Sequence, residues 1–219
     1  DYNTAIGTYC LDANSTGVRN TGVGYNSLSA NTTGNDNTAL GQNALDANTT
    51  GGSNTAVGIA SLGANTTASN NTGIGYAALN FNSTGANNTA VGRRALEDNT
   101  TASENTAVGQ GSLQENTTGA NNTAVGSNAL NSNVSGTDNT AVGTGALQAN
   151  TGSDNTAVGK SALYTNTSGN KNTAVGETAL ASNTTGAGNT AISKDALYAN
   201  TTGNDNTAIG RQALDTNVD

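Results

Sequence analysis

The sequence has no histidine, proline, methionine or tryptophan, and it has one cysteine and one phenylalanine in 219 residues. Without histidine, the usual base of a nucleophile–base–orienter set is absent, and no Asp or Glu recurs beside a fixed Ser to replace it. The single Cys10 excludes an intrachain disulfide framework and a Cys/His metal site. We therefore predict no catalytic residue, no metal site, no cofactor and no enzymatic activity.

Charged residues are also scarce, with 7 basic and 15 acidic side chains in the whole chain. So few basic residues do not make the positive patch that nucleic acids require. No apolar run approaches the roughly 20 residues of a membrane-spanning helix. The composition therefore predicts no nucleic-acid partner and no membrane span in this segment.

One unit of 17 residues fills the sequence instead and occurs thirteen times, with a single copy, 139–154, shortened to 16 residues. The copies begin at Asn3, Asn20, Asn37, Asn54, Asn71, Asn88, Asn105, Asn122, Asn139, Asn155, Asn172, Asn189 and Asn206. A fixed short period is typical of a solenoid, which has no domain boundary of the ordinary kind. We predict that 1–219 is a single repeat array without separate domains, a fragment or subunit of a longer fibre.

We number the positions of the unit from 1 to 17, starting at its first Asn. Asn at positions 1 and 12, Thr at position 2 and Leu at position 9 occur in every copy, and position 4 is always Val, Ile or Leu. Position 8 is always small, whereas positions 6, 7, 10, 11, 16 and 17 vary and are predicted to face solvent. The two large apolar positions are predicted to form the core. Its members include Val57, Val91, Val108, Val125 and Val175 at position 4, and Leu62, Leu96, Leu113, Leu130 and Leu180 at position 9.

The fold class follows from the local signals within the unit. Thr-Ala-Val-Gly is typical of a short strand that ends at Gly, and Thr-Thr-Gly is typical of a turn. The shortened copy supports the turn, because it reads Asn150-Thr151-Gly152 and has lost a turn residue. The Ala-Leu segment between strand and turn is compatible with a second strand or with one helical turn. We predict an all-β chain, a parallel β-solenoid or β-roll of about thirteen 17-residue coils.

The unvarying Asn residues predict ladders, in which each side chain bonds the equivalent amide one coil away. Asn is also a good turn former, but a turn former would be replaced by Asp or Gly in some copies, and it never is. The absence of proline agrees with a stack in which every strand N–H is bonded to the next coil. The predicted ladder residues include Asn37, Asn54, Asn88, Asn105, Asn122 and Asn172 at position 1, and Asn48, Asn65, Asn99, Asn116 and Asn183 at position 12.

The repeat also resembles known families. Residues 35–41 (Asn-Asp-Asn-Thr-Ala-Leu-Gly), 44–45 (Ala-Leu) and 48–51 (Asn-Thr-Thr-Gly) resemble the repeats of bacterial and phage tail-fibre-domain proteins. The Asn-Thr-Ala-Val-Gly core is similar to the shorter head repeats of trimeric autotransporter adhesins, which form trimeric parallel β-rolls. The likeness covers the whole chain, and the repeat length is closer to the tail-fibre group. It implies a trimeric, extracellular, non-enzymatic fibre at a cell surface or virion tail, often used in adhesion.

Two large apolar residues per coil make a thin core, so side-by-side association of several copies is expected, with a trimer as the resemblance implies. Unusual capping units are absent, which favours head-to-tail stacking as an alternative form of self-association. Position 12 creates Asn-x-Ser/Thr sequons, which suggest glycosylation at residues such as Asn14, Asn48 and Asn99. The Asn ladder explains the same residues without a sugar, and we favour it.

The sequence thus predicts a structural or adhesive fibre segment that is rigid, repetitive and extracellular. A phage tail-fibre segment, a head-to-tail filament subunit and an ice-binding β-solenoid are the alternatives. Ice binding requires an outward Thr-x-Thr pair on a flat strand, whereas the Thr-Thr pair of this repeat is predicted in a turn. Exposed Tyr residues, Tyr25 and Tyr164 among them, suggest a surface glycan or a host protein as a further partner.

Overall fold

The computed structural model describes residues 2–217, which form strands and turns and contain no helix. Each coil has one strand of three residues, at positions 2 to 4 of the repeat. The strands are β1 (Thr4–Ile6), β2 (Thr21–Val23), β3 (Thr38–Leu40), β4 (Thr55–Val57), β5 (Thr72–Ile74), β6 (Thr89–Val91), β7 (Thr106–Val108), β8 (Thr123–Val125), β9 (Thr140–Val142), β10 (Thr156–Val158), β11 (Thr173–Val175), β12 (Thr190–Ile192) and β13 (Thr207–Ile209).

The chain divides into two compact units, Asp1–Ala107 and Val108–Asp219, with β7 at the division. Within each unit, neighbouring strands are parallel and equivalent positions lie opposite one another. Thr55 is the register partner of Thr72 in the first unit, and Thr173 is the register partner of Thr190 in the second. The prediction of an all-β parallel solenoid of 17-residue coils is confirmed. The prediction of one array without domains stays a prediction.

The interior of each coil holds an alanine and a leucine. Side chains alternate between the two sides of a strand, so position 3 faces inward while positions 2 and 4 face outward. Ala at position 3 and Leu at position 9 are fully buried in the inner coils. The prediction of the core is correct for five leucines, each with no exposed surface: Leu62, Leu96, Leu113, Leu130 and Leu180.

The prediction of the core is wrong for position 4. Val57 and Val91 are half-buried, and Val108, Val125 and Val175 are each 37% exposed. The reason is the period of the strand. With Ala turned inward at position 3, its neighbour at position 4 must turn outward, and the inward leucine already fills the space within the coil.

The segment after the strand is neither a second strand nor a helical turn. It is a run of turns in which positions 7 and 9 have positive φ, and every one of the thirteen leucines at position 9 has φ between 49° and 54°. A leucine in this region costs about 1–2 kcal/mol. Burial of the side chain and a backbone hydrogen bond to the next coil, as from Leu62 N–H to the Ala78 carbonyl at 2.9 Å, offset that cost.

Glycine at position 5 lets successive coils approach closely. At Gly58 φ is 130°, and a Cβ added there would lie 2.5 Å from the carbonyl oxygen of Gly75 in the next coil. Only glycine adopts this region without strain. Ser193 is the one other residue at this position, and its φ of 104° departs from the common value.

The two asparagine positions form different ladders. At position 12 the amide of each Asn donates to the side-chain oxygen of the Asn one coil before it, as from Asn65 to Asn48 at 2.9 Å. At position 1 the side-chain oxygen accepts the backbone N–H of the next Asn, as Asn37 does from Asn54 at 3.0 Å. The ladders are confirmed, but the partner at position 1 is chiefly the backbone rather than the equivalent amide.

Both amide groups of a coil also donate to the same carbonyl, that of position 15. In the fourth coil, Asn54 and Asn65 donate to the Ala68 oxygen at 2.9 Å and 3.0 Å. The two ladders thereby fix the Thr-Thr-Gly turn against the start of the strand. Because these groups are buried, their full satisfaction is required for stability.

The shortened coil keeps this arrangement. Asn150 donates to Asn133 at 3.3 Å and accepts from Asn166 at 2.7 Å, so the ladder passes through it. The strands on either side stay in register, with Thr140 opposite Thr156. The missing residue is therefore absorbed in the turn, as the sequence predicts.

Candidate interaction surface

The outward side chains of positions 2 and 4 form what we call the outer face. In the second unit its aliphatic row is nearly uniform, since five valines are 37% exposed and Ile192 is 38% exposed. The five are Val108, Val125, Val142, Val158 and Val175. In the first unit the row contains larger residues, with Leu40 at 49% and Ile74 at 39%. The prediction from sequence missed this surface because it assigned position 4 to the core on hydrophobicity alone. In a strand that reads Thr-Ala-Val, side chains alternate between the two sides, so an inward Ala places Thr and Val on the outside.

The threonines of the outer face keep their hydroxyl groups free. Position 2 is half-buried in most coils, and in the described part of the chain none of its hydroxyls has a hydrogen-bond partner. Threonines of the turn behave differently, because at position 13 the hydroxyl donates to the next coil, as from Thr49 to the Thr66 carbonyl at 3.0 Å. The outer face therefore offers unused donors and acceptors beside its aliphatic row.

No charge lies at positions 2 and 4 in any copy. The nearest variable residues, at position 6, differ between the units. The first unit has the exposed side chains of Tyr25, Ile59 and Tyr76 there, together with Arg93. The second has Lys194 and Glu177, whose charged groups are 3.0 Å apart.

Asp36 and Cys10 each have a shifted pKa and lie away from the outer face. Hydrogen bonding from the Arg19 guanidinium, at 2.6 Å, lowers the pKa of the Asp36 carboxyl, and both side chains are exposed. Burial raises the pKa of the half-buried Cys10 thiol, which disfavours the reactive thiolate. Among residues 2–217 no cluster of three His, Cys, Asp or Glu side chains can hold a metal ion.

The second unit also has a shallow notch of about 220 Å³ between Tyr164 and Tyr198. Ala181 lies in this notch, with Ser161 and Thr178 beside it. These lining residues are aromatic, small or hydroxylated, and the Thr178 hydroxyl donates to the Asp195 carboxylate. The predicted glycan or host-protein partner stays a prediction.

The predicted ladder residues are all buried, each with at most 1% of its surface exposed: Asn37, Asn54, Asn88, Asn105, Asn122, Asn172, Asn48, Asn65, Asn99, Asn116 and Asn183. This burial contradicts glycosylation of the folded chain at Asn48 and Asn99, because their amide nitrogens each donate two hydrogen bonds inside the coil. Asn14 is half-buried, and its amide donates to the Gly17 carbonyl.

No family model matches the chain, and neither a curated protein nor a solved structure is significantly similar to it. In the described residues, no helix is long and apolar enough to cross a membrane. The predicted tail-fibre resemblance therefore rests on the repeat motifs alone.

Proposed function

We propose that this chain is a non-enzymatic structural segment of an extracellular fibre, in which the outer faces of three copies pack together. The observation that carries the proposal is the aliphatic row at position 4, which repeats on successive strands and lies exposed in the single chain. Contiguous apolar surface of this kind marks an interaction site in soluble proteins.

The form of the row favours another copy of the chain as its partner. In the second unit it comprises seven side chains on successive strands, from Val108 to Ile209, which at ~4.8 Å per strand is about 29 Å long. A partner must match this repeat and must lack charge, and a second copy of the chain does both. Closed cyclic symmetry then places identical rows against each other, as in most soluble homo-oligomers.

Mass in solution tests the association, and light scattering on the purified chain measures it. A mass three times the chain's 21.4 kDa supports the proposal, whereas a monomer at all concentrations overturns it. A mass that grows without limit with concentration would favour head-to-tail self-association instead.

Charge on the outer face should separate the copies. The triple variant Val125→Glu, Val142→Glu and Val158→Glu is expected to be monomeric and still folded, because each new carboxylate would be buried without a partner in the assembly. The matched control carries three glutamates on the exposed turn, Ser135→Glu, Ser168→Glu and Thr185→Glu, and is expected to keep the wild-type mass.

The rest of the surface would present the binding function of such a fibre, on a cell or on a virion tail. Variable side chains at positions 6 and 10, such as Tyr76 and Tyr198, are exposed and differ from coil to coil. A regular shaft that carries variable residues suits adhesion to a surface glycan or host protein. Binding of the chain to a glycan array or to host-cell proteins, lost on Tyr→Ala substitution, would support this part of the proposal.

Ice binding is the second candidate, and the outer face favours it more than the sequence does. Thr and an aliphatic residue point outward from each strand, so each coil has a Thr-x-Val, Thr-x-Ile or Thr-x-Leu pair with a free hydroxyl rather than only the adjacent pair of the turn. The two candidates compete for one surface, since copies that cover the face would hide it from ice. Thermal hysteresis by a monomeric wild-type chain would support ice binding, and its absence would exclude it.

A further inference from the structure

The Asn-x-Ser/Thr sequon occurs in this chain in two structural settings. Eleven copies start at position 12, and three others start at position 17. The three are Asn70-Asn71-Thr72, Asn87-Asn88-Thr89 and Asn121-Asn122-Thr123. The same chemical motif is thus present in one molecule with different exposure, so the fold rather than the motif decides which copies can react.

Apart from Asn14, which is half-buried, the position-12 sequons are closed to modification in the folded chain. Asn65, a representative copy, has no exposed surface. Its amide nitrogen donates to the Asn48 side chain at 2.9 Å and to the Ala68 carbonyl at 3.0 Å. Its side-chain oxygen accepts from Asn82 at 3.0 Å. Attack by this nitrogen would require the loss of both donated bonds and the opening of the ladder.

The position-17 sequons are open. Asn70, Asn87 and Asn121 are exposed, and their side chains have no hydrogen-bond partner among residues 2–217. Their φ values of 60–62° place them in a left-handed turn just before the strand, where Asn is tolerated. The hydroxyl two residues later belongs to a position-2 threonine, which is half-buried and also unpaired.

We infer that Asn70, Asn87 and Asn121 are acceptor sites for N-linked glycans when the folded chain meets an oligosaccharyltransferase. The donor class is a lipid-pyrophosphate-linked oligosaccharide. A bond forms between the amide nitrogen and the anomeric carbon of the first sugar, and the bond from that carbon to the pyrophosphate oxygen breaks. The lipid pyrophosphate leaves with the electron pair, and the amide proton passes to a base of the transferase.

The inference concerns the single chain, because the position-2 threonine of each of these sequons lies on the outer face that other copies would cover in the proposed fibre. The number of sequons does not decide which Asn can react. Position 12 has the greater number of sequons, but its Asn side chains are the ladder. Position 17 has few sequons, because most copies have an acid, a base, Ser or Gly there.

The test is transfer in vitro to the folded, purified chain, with an oligosaccharyltransferase and its lipid-linked donor, followed by mapping of occupied sites by mass spectrometry. The expected result is glycan at Asn70, Asn87 and Asn121, with occupancy at least about tenfold above that of any buried position-12 Asn. The chain unfolded in denaturant and diluted into the assay is the positive control, and it should also be modified at position 12.

Variants that keep each Asn and remove only the hydroxyl refine the test. Thr72→Ala, Thr89→Ala and Thr123→Ala should each abolish glycan at the site two residues earlier. The matched control Thr67→Ala removes the sequon of Asn65 and should leave the pattern of the folded chain unchanged. Modification of the unfolded chain with none at position 17 of the folded chain would overturn the inference, and so would equal occupancy at position 12.

Discussion

The two sides of each short strand differ in burial and in the residues that they contain. On the inner side, Ala141 has no exposed surface, and the space around it accepts only Ala or Gly in all thirteen copies. On the outer side, Val142 is 37% exposed, yet its position is always aliphatic. Packing within the coil explains the small residue on the inner side. It does not explain the aliphatic residue on the outer side, and the proposed association of copies rests on this difference.

The largest loss of stability is expected from a substitution that leaves a cavity on the inner side of the coil. Leu62→Ala should lower the free energy of unfolding by about 2–5 kcal/mol, because it removes most of a fully buried side chain. The outer-side counterpart Val57→Ala should cost less, about 1 kcal/mol in the dissociated chain, because its side chain is only half-buried and alanine is a poorer strand former. Denaturant unfolding of both variants measures the difference. Equal losses in the two would show that position 4 is a core position after all.

The next largest loss of stability is expected at position 5, where successive coils approach closely. Gly58→Ala should cost about 1–3 kcal/mol from the forbidden φ alone, with a further loss from contact with the Gly75 carbonyl. Gly52→Ala is the matched control, since its φ lies outside the left-handed region and the Asn35 carbonyl oxygen, 3.1 Å from the new Cβ, needs to move by only a few tenths of an ångström. Thermal unfolding compares the two, and a Gly58→Ala variant as stable as the control would contradict the assigned geometry.

The position-12 ladder should contribute a smaller amount per residue. Asn65→Ala leaves the Asn48 oxygen without its donor and removes one of the two acceptors of the Asn82 amide, a loss of about 1–3 kcal/mol. Thr67→Ala, two residues later on the exposed turn, should change stability by less than about 0.5 kcal/mol. Denaturant midpoints test both. A neutral Asn65→Ala would mean that the amides are solvated rather than paired.

The smallest effect is expected on the exposed turn, at the Arg19–Asp36 pair. The pKa of Asp36 is lower in the folded chain than in the unfolded chain, so its contribution to stability is present above the unfolded pKa and is lost as pH falls through the folded pKa. Both side chains are exposed, and salt should screen the pair. NMR titration should find the Asp36 pKa below its ordinary value, and Arg19→Ala should return it. An unchanged pKa in that variant would exclude the pairing.

Much of the fold is accessible from the sequence because the repeat reveals it. Comparison of thirteen copies identifies the strand, the turn and both Asn ladders, and even the shortened copy falls in the expected place. The outer face was missed because large apolar residues were assigned to the core by hydrophobicity, without the alternation of the strand. Ala141 faces inward and its neighbour Val142 faces outward, so a shift of one position along the strand exchanges core and surface.

The segment after the strand is not accessible in the same way. Leu96 has a φ of 50°, in a region that leucine avoids in most proteins. No neighbouring residue in the sequence predicts a positive φ at this position. The coil holds it there through burial and through backbone bonds to neighbouring coils. Such tertiary constraints are absent from any single repeat, so a pattern of residues cannot reveal them.

Cross-linking between copies tests the central claim most directly, namely that the outer face is covered by other copies of the chain. The native thiol is first removed with Cys10→Ala, and Val142→Cys is then introduced on the outer face, with Ser168→Cys on the exposed turn as the control. Under mild oxidation, the account predicts covalent species between copies for Val142→Cys, visible on a non-reducing gel, and few for the control. Efficient cross-linking of the control alone, or of neither variant, would contradict it.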